Sequence, residues 1–464
     1  MPDFYENYQS PLSWRYASPD MRVIWSEKNK RLLWRRIWVT LAAVQAKFGL
    51  FSPDLVDELR KNQELVDMDT ALELESRIHH DLMAELKTFA GQCPSAGGIL
   101  HVGATSMDIE DNADALRIRA ALDLILEKLE EILLTFADRI EETVDETIIA
   151  FTHLQPAEPS ALAYRLAFHA QDLLEDWQRI KQVRENIRGK GFKGAVGSAA
   201  AYADLIGAEN LVEFESRLSE LLGISFYPVT NQTYPRKQDL DVLNALAGIG
   251  ASLYKFAFDL RILQSPPLGE WSEPFGKDQV GSSAMPFKRN PINAEKINSL
   301  ARQLSILPQV AWQNAANSLL ERTLDDSANR RMILPEAFLI TDEILQVSLR
   351  ILKDFQVHRE NIQRNLNIYA PFAMTERIMM AAAKKGADRQ QMHELLRNHA
   401  LEAWKVIQPG QNNPLIANLS ADVKITRWIS ADEIDQLSDI NQYTGLSKTN
   451  AANLAAQIRE LFNR

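Results

Sequence analysis

The repeat between Asp239 and Leu263 constrains the fold more than any other stretch of the chain. Its apolar residues are spaced alternately by four and three positions, as Val242, Leu246, Ile249, Leu253, Phe256, Leu260 and Leu263. This alternation is typical of a long helix whose apolar seam packs along other helices. Gly248 and Gly250 lie inside the repeat, and each costs roughly 1 kcal/mol relative to Ala in a helix. We therefore expect other helices to approach closely at these two positions.

Four further segments carry long helical patterns of apolar residues. They run over residues 108–146, from after 156 to about 188, over 293–320 and over 327–355. Pro308 and Pro335 are predicted to kink the last two of these helices. Five such helices, apolar on more than one face, exceed what one small core can bury. The sequence therefore predicts an all-α fold whose central bundle packs against copies of itself in a homo-oligomer.

Three helical domains are predicted along the chain. Residues 1–106 form an N-terminal domain, and within it a helix from about Ser26 to Phe48 has apolar residues at helical spacing. The long helices occupy residues 107–357. In residues 358–464 the helical patterns shorten and the density of charge rises, which indicates a third domain.

Charge and cysteine content limit the partners and the compartment. The 464 residues carry a formal net charge of −11, so binding to nucleic acid is not expected. Cys93 is the single cysteine, which excludes an intramolecular disulfide and a cysteine-based zinc site and is typical of a reducing compartment. Met1–Glu6 lack the basic and apolar regions of a signal peptide, and no apolar run approaches the ~20 residues that cross a bilayer. We expect a cytoplasmic protein without a membrane partner.

The segment Gly281–Pro291, GSSAMPFKRNP, is the strongest chemical signal in the chain. Pro286 and Pro291 prevent a regular helix or a central strand, so the segment is predicted to be a loop. Its backbone N–H groups, with Lys288 and Arg289, suit an anion that forms during a reaction. The simpler alternative is a surface turn with solvated basic side chains; the Met-Pro-x-Lys-x-Asn pattern favours the functional interpretation.

Two shorter motifs are weaker signals by themselves. Thr105 and Ser106 precede a helix, where hydroxyls can bind an anion or can serve only as a helix cap. His153 stands in Thr-His-x-Gln-Pro, and a histidine there could be a general acid or only a packing residue. The pair His79-His80 precedes Asp81, and adjacent positions on a helix do not share a face, which argues against a two-histidine metal site.

Two polar, basic stretches are candidates for binding a phosphate. They are 231–237, NQTYPRK, and 321–331, ERTLDDSANRR. Arginines and a serine at a helix start can bind phosphate. The alternative is a solvated loop in which the arginines pair with Asp325 and Asp326. The pattern G-x-G-x-x-G at 189–194 follows a helix and lacks a surrounding βαβ unit, so it is interpreted as an interhelical loop.

These motifs together resemble the fumarase/aspartase superfamily, whose signature loop is similar to GSSAMPFKRNP. The resemblance implies a homotetramer with a twenty-helix core, active sites drawn from three subunits, and β-elimination that releases fumarate. Lys288–Pro291 and the 321–331 stretch are most similar to the branch that cleaves adenylosuccinate and the related succinylo-carboxamide ribotide. No metal or organic cofactor is implied. The alternatives are another fumarate-releasing enzyme such as argininosuccinate lyase, whose substrate has no phosphate, and a non-catalytic helical scaffold.

The resemblance also implies roles for individual residues. Ser282 would be the base, His153 the general acid and Glu295 the carboxylate that orients it, with Lys288 and Asn290 holding the substrate carboxylate. The other implied substrate contacts are Arg15, Tyr16, His80, Asp81, Thr105, Ser106, Gln155, Gln232, Arg322, Ser327 and Arg331. Lys296 also falls on such a position; Arg is expected there among relatives, and Lys cannot offer its bidentate fork.

Overall fold

The computed structural model describes residues 6–462. Met1–Tyr5, which belong to the segment tested above for a signal peptide, lie outside the described residues, as do Asn463 and Arg464 at the end of the third predicted domain. Of the structure, 68% is helical, which confirms the predicted all-α class. No helix within residues 6–462 is both long and apolar enough to cross a membrane.

Six helices precede the long ones. They are α1 (Pro11–Trp14), α2 (Pro19–Ile24), α3 (Glu27–Lys47), α4 (Pro53–Asn62), α5 (Met68–Ile78) and α6 (Asp81–Gln92). The predicted helix from Ser26 to Phe48 is confirmed as α3. Ser26 is its N-cap, and its side chain accepts a hydrogen bond from Asn29 N at 3.2 Å.

The middle of the chain holds four long helices and four shorter ones. They are α7 (Ser106–Thr143), α8 (Leu162–Glu185), α9 (Ala200–Ile206), α10 (Leu211–Leu222), α11 (Lys237–Gln264), α12 (Ile292–Leu304), α13 (Leu307–Ala316) and α14 (Ser327–Asp354). The last six helices are α15 (Arg359–Lys384), α16 (Arg389–Ile407), α17 (Leu415–Ala421), α18 (Val423–Thr426), α19 (Ala431–Leu437) and α20 (Ser447–Leu461).

Four short strands form two antiparallel pairs. β1 (Thr147–Thr152) pairs with β2 (Gln155–Ala161), and β3 (Trp271–Ser272) pairs with β4 (Gln356–Val357). The break predicted between the first two long helices is therefore a β-hairpin.

The segment 293–320 differs from its prediction as one kinked helix. It forms two helices, α12 and α13, and Pro308 lies in the first turn of α13 rather than at a bend. Proline is tolerated in a first turn because the N–H that it lacks would have no partner within the helix. Pro335, in contrast, does lie inside α14.

The described residues divide into two compact units, each built from three separate segments. Unit 1 takes residues 6–129, 176–251 and 299–346. Unit 2 takes 130–175, 252–298 and 347–462. The division into three successive domains stays a prediction.

The two glycines of α11 lie where neighbouring helices approach within unit 1. A Cβ on Gly248 would lie 3.0 Å from Asp176 Oδ1 of α8, and one on Gly250 would lie 3.0 Å from Leu304 Cδ2 of α12. These contacts confirm the expectation drawn from the glycine pair. A side chain at either position would push the helices apart or displace the neighbouring side chain.

Unit 2 contains two apolar clusters, one between its long helices and one among the C-terminal helices. Phe136 of α7 and Phe256 of α11 meet edge to face with centroids 5.6 Å apart, and His169 of α8 packs on Phe256 at 5.5 Å. The C-terminal helices enclose a separate core. Its fully buried members include Ile378, Leu415, Leu419, Ile425 and Ile434.

Unit 1 encloses a buried ion-pair cluster between α3 and α6. Glu85, fully buried, accepts from Arg35 Nε at 2.6 Å and from Arg31 Nη1 at 3.1 Å. Both arginine side chains are buried as well. Removing one partner of such a cluster leaves charge in a medium that solvates it poorly.

We expect Glu85→Gln to destabilise the protein by about 3–5 kcal/mol, because buried Arg35 loses its carboxylate partner and buried Arg31 keeps only Glu75. The shift of the urea midpoint, followed by circular dichroism, measures this. Glu213→Gln is the matched control, since Glu213 pairs with Arg217 on an exposed surface, where ion pairs contribute little. Equal shifts for the two variants would contradict the importance of the buried cluster.

Candidate active site

The residues predicted to form the site lie in two groups, one in each unit. Unit 1 holds Arg15, Tyr16, His80, Asp81, Thr105, Ser106, Gln232, Arg322, Ser327 and Arg331. Unit 2 holds His153, Gln155, Ser282, Lys288, Asn290, Glu295 and Lys296.

In unit 1, the residues predicted to bind phosphate line one pocket, here called the arginine pocket. Arg322, Ser327 and Arg331 line it together with Asp81. Ser327 is the first residue of α14, so its hydroxyl lies at a helix N-terminus, where free N–H groups attract anions. Arg331 follows one turn later on the same face.

Asp81 holds Arg331 at the wall of the arginine pocket. Arg331 Nη1 lies 2.8 Å from Asp81 Oδ2. Burial by itself would raise the pKa of Asp81, but the Arg331 guanidinium holds that pKa below its ordinary value. His80 precedes Asp81 and is the N-cap of α6, where its Nδ1 accepts from Met83 N at 3.4 Å. The sequence interpretation placed the pair His79-His80 on one helix. The structure instead places it between α5 and α6.

Asp326 does not line the arginine pocket itself, but it orients two arginines that do. Its carboxylate accepts from Arg322 Nη1 at 2.8 Å and from Arg236 Nε at 2.6 Å. Burial opposes ionisation, yet Arg236 and Arg322 hold the pKa of Asp326 below its ordinary value. The alternative reading of the 321–331 stretch, an Arg–Asp ion pair, is thus present at Arg322. The pairing still leaves Arg322 lining the pocket.

A buried network of ion pairs, which the sequence analysis missed, holds two arginines of the arginine pocket in place. Arg236 Nη1 donates to Asp111 at 3.0 Å, and Arg330 Nε donates to Asp239 at 2.8 Å. Tyr234 O–H donates to Asp239 at 2.7 Å and accepts from Arg330 Nη2 at 2.8 Å. Nothing in the sequence distinguishes these buried charges from solvated ones. Only the approach of α7, α11 and α14 brings them together.

One stripe of α7 forms another wall of the arginine pocket. Met107, Glu110, Asp114 and Arg117 line it, at spacings of three and four that place them on one helix face. Burial, and then the nearby carboxylates of Asp81 and Asp114, raise the pKa of Glu110 to about 8. Glu110 was not singled out from the sequence, because an acidic residue in an amphipathic helix is usually solvated.

The other predicted residues of unit 1 lie at helix termini and connecting loops. Arg15 is the C-cap of α1, and the exposed side chain stacks on Trp14 with a cation–ring distance of 5.7 Å. Tyr16, next in the chain, is half-buried. Thr105 N donates to Asp108 at 3.1 Å, and Ser106 is the first residue of α7. These positions allow contact with a ligand at a helix start.

Gln232 connects the two stretches that were predicted to bind the nucleotide. Its backbone N–H donates to Glu321 O at 3.1 Å. Asn231 Nδ2 lies 3.4 Å from Leu320 O, next to the same contact. The structure therefore brings the 231–237 and 321–331 stretches together within unit 1.

In unit 2, Gly281–Pro291, here called the signature loop, contains neither helix nor strand, as predicted. Ser282 Oγ accepts hydrogen bonds from two backbone N–H groups of the loop, Met285 at 3.1 Å and Ala284 at 3.4 Å. Asn290 Nδ2 donates to Gly281 O at 3.0 Å and joins the two ends of the loop. Two N–H donors on one hydroxyl oxygen stabilise negative charge on it.

The end of the signature loop is tied to α11 and to the segment that begins with β3. Gln264 at the end of α11 donates to Arg289 O at 3.2 Å and accepts from Glu273 N at 3.0 Å. Glu273, itself buried, accepts from Asn293 N at 3.1 Å and Ala294 N at 3.0 Å, and so caps α12. Burial raises the pKa of Glu273. The sequence analysis missed both Gln264 and Glu273.

His153 lies at the exposed tip of the β1–β2 hairpin. His153 and Leu154 have φ of 54° and 60°, and they join Thr152 to its partner Gln155. A two-residue turn with both φ values positive normally uses Asn or Gly. Holding a histidine and a leucine there costs energy, of the kind that often marks a functional position. Gln155, also exposed, begins β2 beside it.

Glu295 and the basic end of the signature loop share a pocket. Lys288, Asn290 and Glu295 line it with Arg261 of α11. Glu295 Oε1 lies 3.8 Å from Arg261 Nη2, and Lys296 follows on α12, half-buried. Within residues 6–462 no hydrogen bond or ion pair joins Glu295 to His153. Their pairing stays a prediction.

Comparison with known proteins agrees with the resemblance. A family model described as Lyase matches residues 18–305, and one described as Adenylosuccinate lyase C-terminus matches residues 371–453. An adenylosuccinate lyase of Saccharomyces cerevisiae is 40% identical over 96% of this chain and 93% of its own length. One from Schistosoma mansoni is 39% identical over 90% and 88%.

A solved structure gives the fold independently. The 3-carboxy-cis,cis-muconate lactonizing enzyme of Pseudomonas putida matches with a TM-score of 0.87 and 24% identity, over 98% of this chain and all of that one. Fold and family match together define a lyase of the fumarase/aspartase superfamily. The 40% identity to the Saccharomyces cerevisiae enzyme over almost the whole chain, together with the match of residues 371–453, narrows the assignment within that superfamily. The chain belongs to the adenylosuccinate lyase family.

Gly281→Ala is expected to open the signature loop, because a Cβ at Gly281 would lie 2.1 Å from Lys288 O. Trypsin should then cleave after Lys288 and Arg289 faster than in the unaltered protein, as measured by mass spectrometry over time. Gly276→Ala is the control, since its Cβ would meet nothing closer than Gln279 Cβ at 3.7 Å. Equal cleavage rates in the two variants would contradict a loop held closed at this contact.

Proposed function

We propose that the protein cleaves adenylosuccinate to AMP and fumarate. By the same elimination it cleaves the succinylo-carboxamide ribotide of purine synthesis, SAICAR, to AICAR. The observation that carries this choice is the arginine pocket. Arg322, Ser327 and Arg331 converge there on a space that suits a phosphate. A substrate without phosphate, such as argininosuccinate, would make no use of it.

The reaction breaks a C–N bond after a proton leaves the neighbouring carbon. That carbon lies next to a carboxylate, so its proton is very weakly acidic and the intermediate gathers negative charge. The site must supply a base, positive electrostatics at the carboxylate and an acid for the departing nitrogen. The electron pair of the C–H bond forms the C=C bond of fumarate, and the nitrogen leaves with the C–N pair and takes a proton.

Ser282 acts as the base in this proposal. A serine hydroxyl is too weakly basic unless its alkoxide is stabilised. The hydrogen bonds from Met285 N and Ala284 N to Ser282 Oγ supply part of that stabilisation. Lys288 and Asn290, further along the same loop, would hold the substrate carboxylate and the charge that develops on it.

His153 acts as the general acid, and Glu295 orients it. Within residues 6–462 the imidazole of His153 makes no hydrogen bond or ion pair, and it lies at an exposed turn. These features support a role in a site completed by another copy of the chain, where Glu295 or the nitrogen of the substrate would become its partner. The strained turn presents the ring to solvent in a fixed place.

The protein is proposed to be a homotetramer. Large aromatic side chains of α8 and α11 are exposed in unit 2: Tyr164, Phe168 and Phe258 are 44%, 52% and 44% exposed. Tyr164 and Phe168 are one turn apart on the same face of α8. Exposed aromatic surface of this kind on long helices favours burial against further copies. A cytoplasmic location remains part of the proposal.

A spectrophotometric assay at about pH 7.5 tests the substrate class. We expect fumarate release from adenylosuccinate and none from argininosuccinate. Arg322→Ala should raise KM for adenylosuccinate by at least ten-fold, because a charge-assisted phosphate contact contributes on the order of 1.5–3 kcal/mol. Lys405→Ala is the control, since Lys405 pairs with Glu402 on an exposed surface outside the predicted site. Turnover of argininosuccinate but not adenylosuccinate would overturn the assignment.

Ser282→Ala and His153→Ala should each lower kcat by 10²–10⁴-fold, as expected when a general base or acid is lost. Co-expression of the two variants with different tags, and purification through both, tests whether the site is shared. If Ser282 and His153 of one site come from different copies, about a quarter of the sites regain both groups in random tetramers. No recovery in the doubly tagged protein would place both residues in the same copy.

A further inference from the structure

Among the described residues, 6–462, Glu110 is the one acidic side chain on the pocket-facing stripe of α7 that has no hydrogen-bond or ion-pair partner. Asp114, one turn on, pairs with Arg330 at 3.3 Å and with Arg117 at 3.3 Å. Glu110, in contrast, makes no hydrogen bond or ion pair with any residue in the range 6–462. It nevertheless lines the arginine pocket. A carboxyl group in this position is either a repulsive charge or a neutral hydrogen-bond donor.

The charges around Glu110 decide between these states. The basic residues that line the pocket are Lys30, Arg117, Arg236, Arg322, Arg330 and Arg331. The acidic ones are Glu27, Asp81, Glu110 and Asp114, and the same basic groups also pair with Asp111, Asp239 and Asp326 from behind. Six cations thus meet seven carboxyl groups. With Glu110 protonated the cluster is neutral; with Glu110 ionised it carries a net negative charge, which would repel an anion.

We propose that Glu110 binds the substrate's phosphate as a neutral carboxylic acid, donating its O–H to the group held by Arg322, Ser327 and Arg331. This inference rests on the proposed function and adds to it a residue and a protonation state. The neutral acid supplies a donor without adding positive charge that Asp81 or Asp114 would have to balance.

The pH dependence has a definite sign. Burial, with Asp81, Asp114 and Asp111 nearby, raises the pKa of Glu110 to about 8, against the lowering effect of Arg331. The binding-competent protonated form therefore predominates below pH 8 and is lost as the pH rises above it. The phosphate itself does not titrate in this range, because its second pKa is about 6. Between pH 7.5 and 9.5 the competent fraction falls about 25-fold.

Isothermal calorimetry with AMP on the full chain tests this. The Kd should rise about 25-fold from pH 7.5 to 9.5 in the unaltered protein, and at pH 9 binding should take up a proton, seen as a difference in heat between two buffers. Glu110→Gln keeps a neutral donor, so its Kd should stay constant and no proton should be taken up. Glu336→Gln is the matched control, because burial also raises the pKa of Glu336, which does not line the pocket; it should behave as the unaltered protein.

Two further measurements separate the possible outcomes. Glu110→Ala should bind AMP more weakly than Glu110→Gln at pH 7.5; equal affinity would mean that Glu110 donates nothing, which overturns the proposal. Inorganic phosphate should compete with AMP with the same pH dependence; competition that does not change with pH would move the contact away from the phosphate and also overturn it. A constant Kd in the unaltered protein, with adenylosuccinate still cleaved, overturns this inference alone. If the protein neither cleaves adenylosuccinate nor binds AMP, the proposed function is overturned as well.

Discussion

A buried carboxylate, Asp326, fixes two of the guanidinium groups that line the arginine pocket by binding both at once. A guanidinium group in a poorly solvating interior needs a fixed counter-charge, or the burial costs several kcal/mol. Arg236 uses Asp326 and Asp111, and Arg330 uses Asp239 and Tyr234. Because every one of these groups has its partners within unit 1, the cations exposed to the pocket do not collapse onto one another. The positions of the arginines in the pocket are therefore determined by the buried network of Asp111, Asp239, Asp326 and Tyr234.

The signature loop is organised by a different means, since it carries few buried groups. Backbone contacts close it: Asn290 reaches Gly281 O, and the absent side chain of Gly281 lets Lys288 O approach. Gln264 and Glu273 fix the base of the loop to α11 and α12. The proposed catalytic groups of this loop are therefore carried on a rigid base, an arrangement that positions reacting groups without freezing them.

Much of this could be predicted from the sequence, and the limits have physical causes. The long helices were predictable because their apolar period is strong, and α3 was predicted within a residue at each end because Ser26 is a good cap. The β1–β2 hairpin was missed because its turn uses His153 and Leu154, where a sequence reader expects Asn-Gly. At Pro308 the sequence was compatible with a kink or a new helix start, and packing chose the latter.

The candidate site likewise has residues that the sequence reveals and residues that only the fold reveals. Gly281–Pro291 and the 321–331 stretch were recognisable because unusual residues lie close together in sequence. Glu110, Asp326 and Glu273 were not, since each is an ordinary acidic residue until tertiary packing buries it. Burial and the neighbouring charges are properties of the fold, so no local pattern can report them.

The acidic balance of the chain makes the local chemistry more demanding. A protein of net charge −11 repels a phosphorylated dicarboxylate at long range. Attraction must come from within about a Debye length, roughly 8–10 Å at physiological ionic strength, where the arginines that line the pocket can donate to the anion directly. In that setting each carboxyl group in the pocket matters, and one held in its neutral form removes a repulsion while it keeps a donor. Selective protonation thus allows an acidic protein to line an anion site with carboxyl groups that orient its arginines.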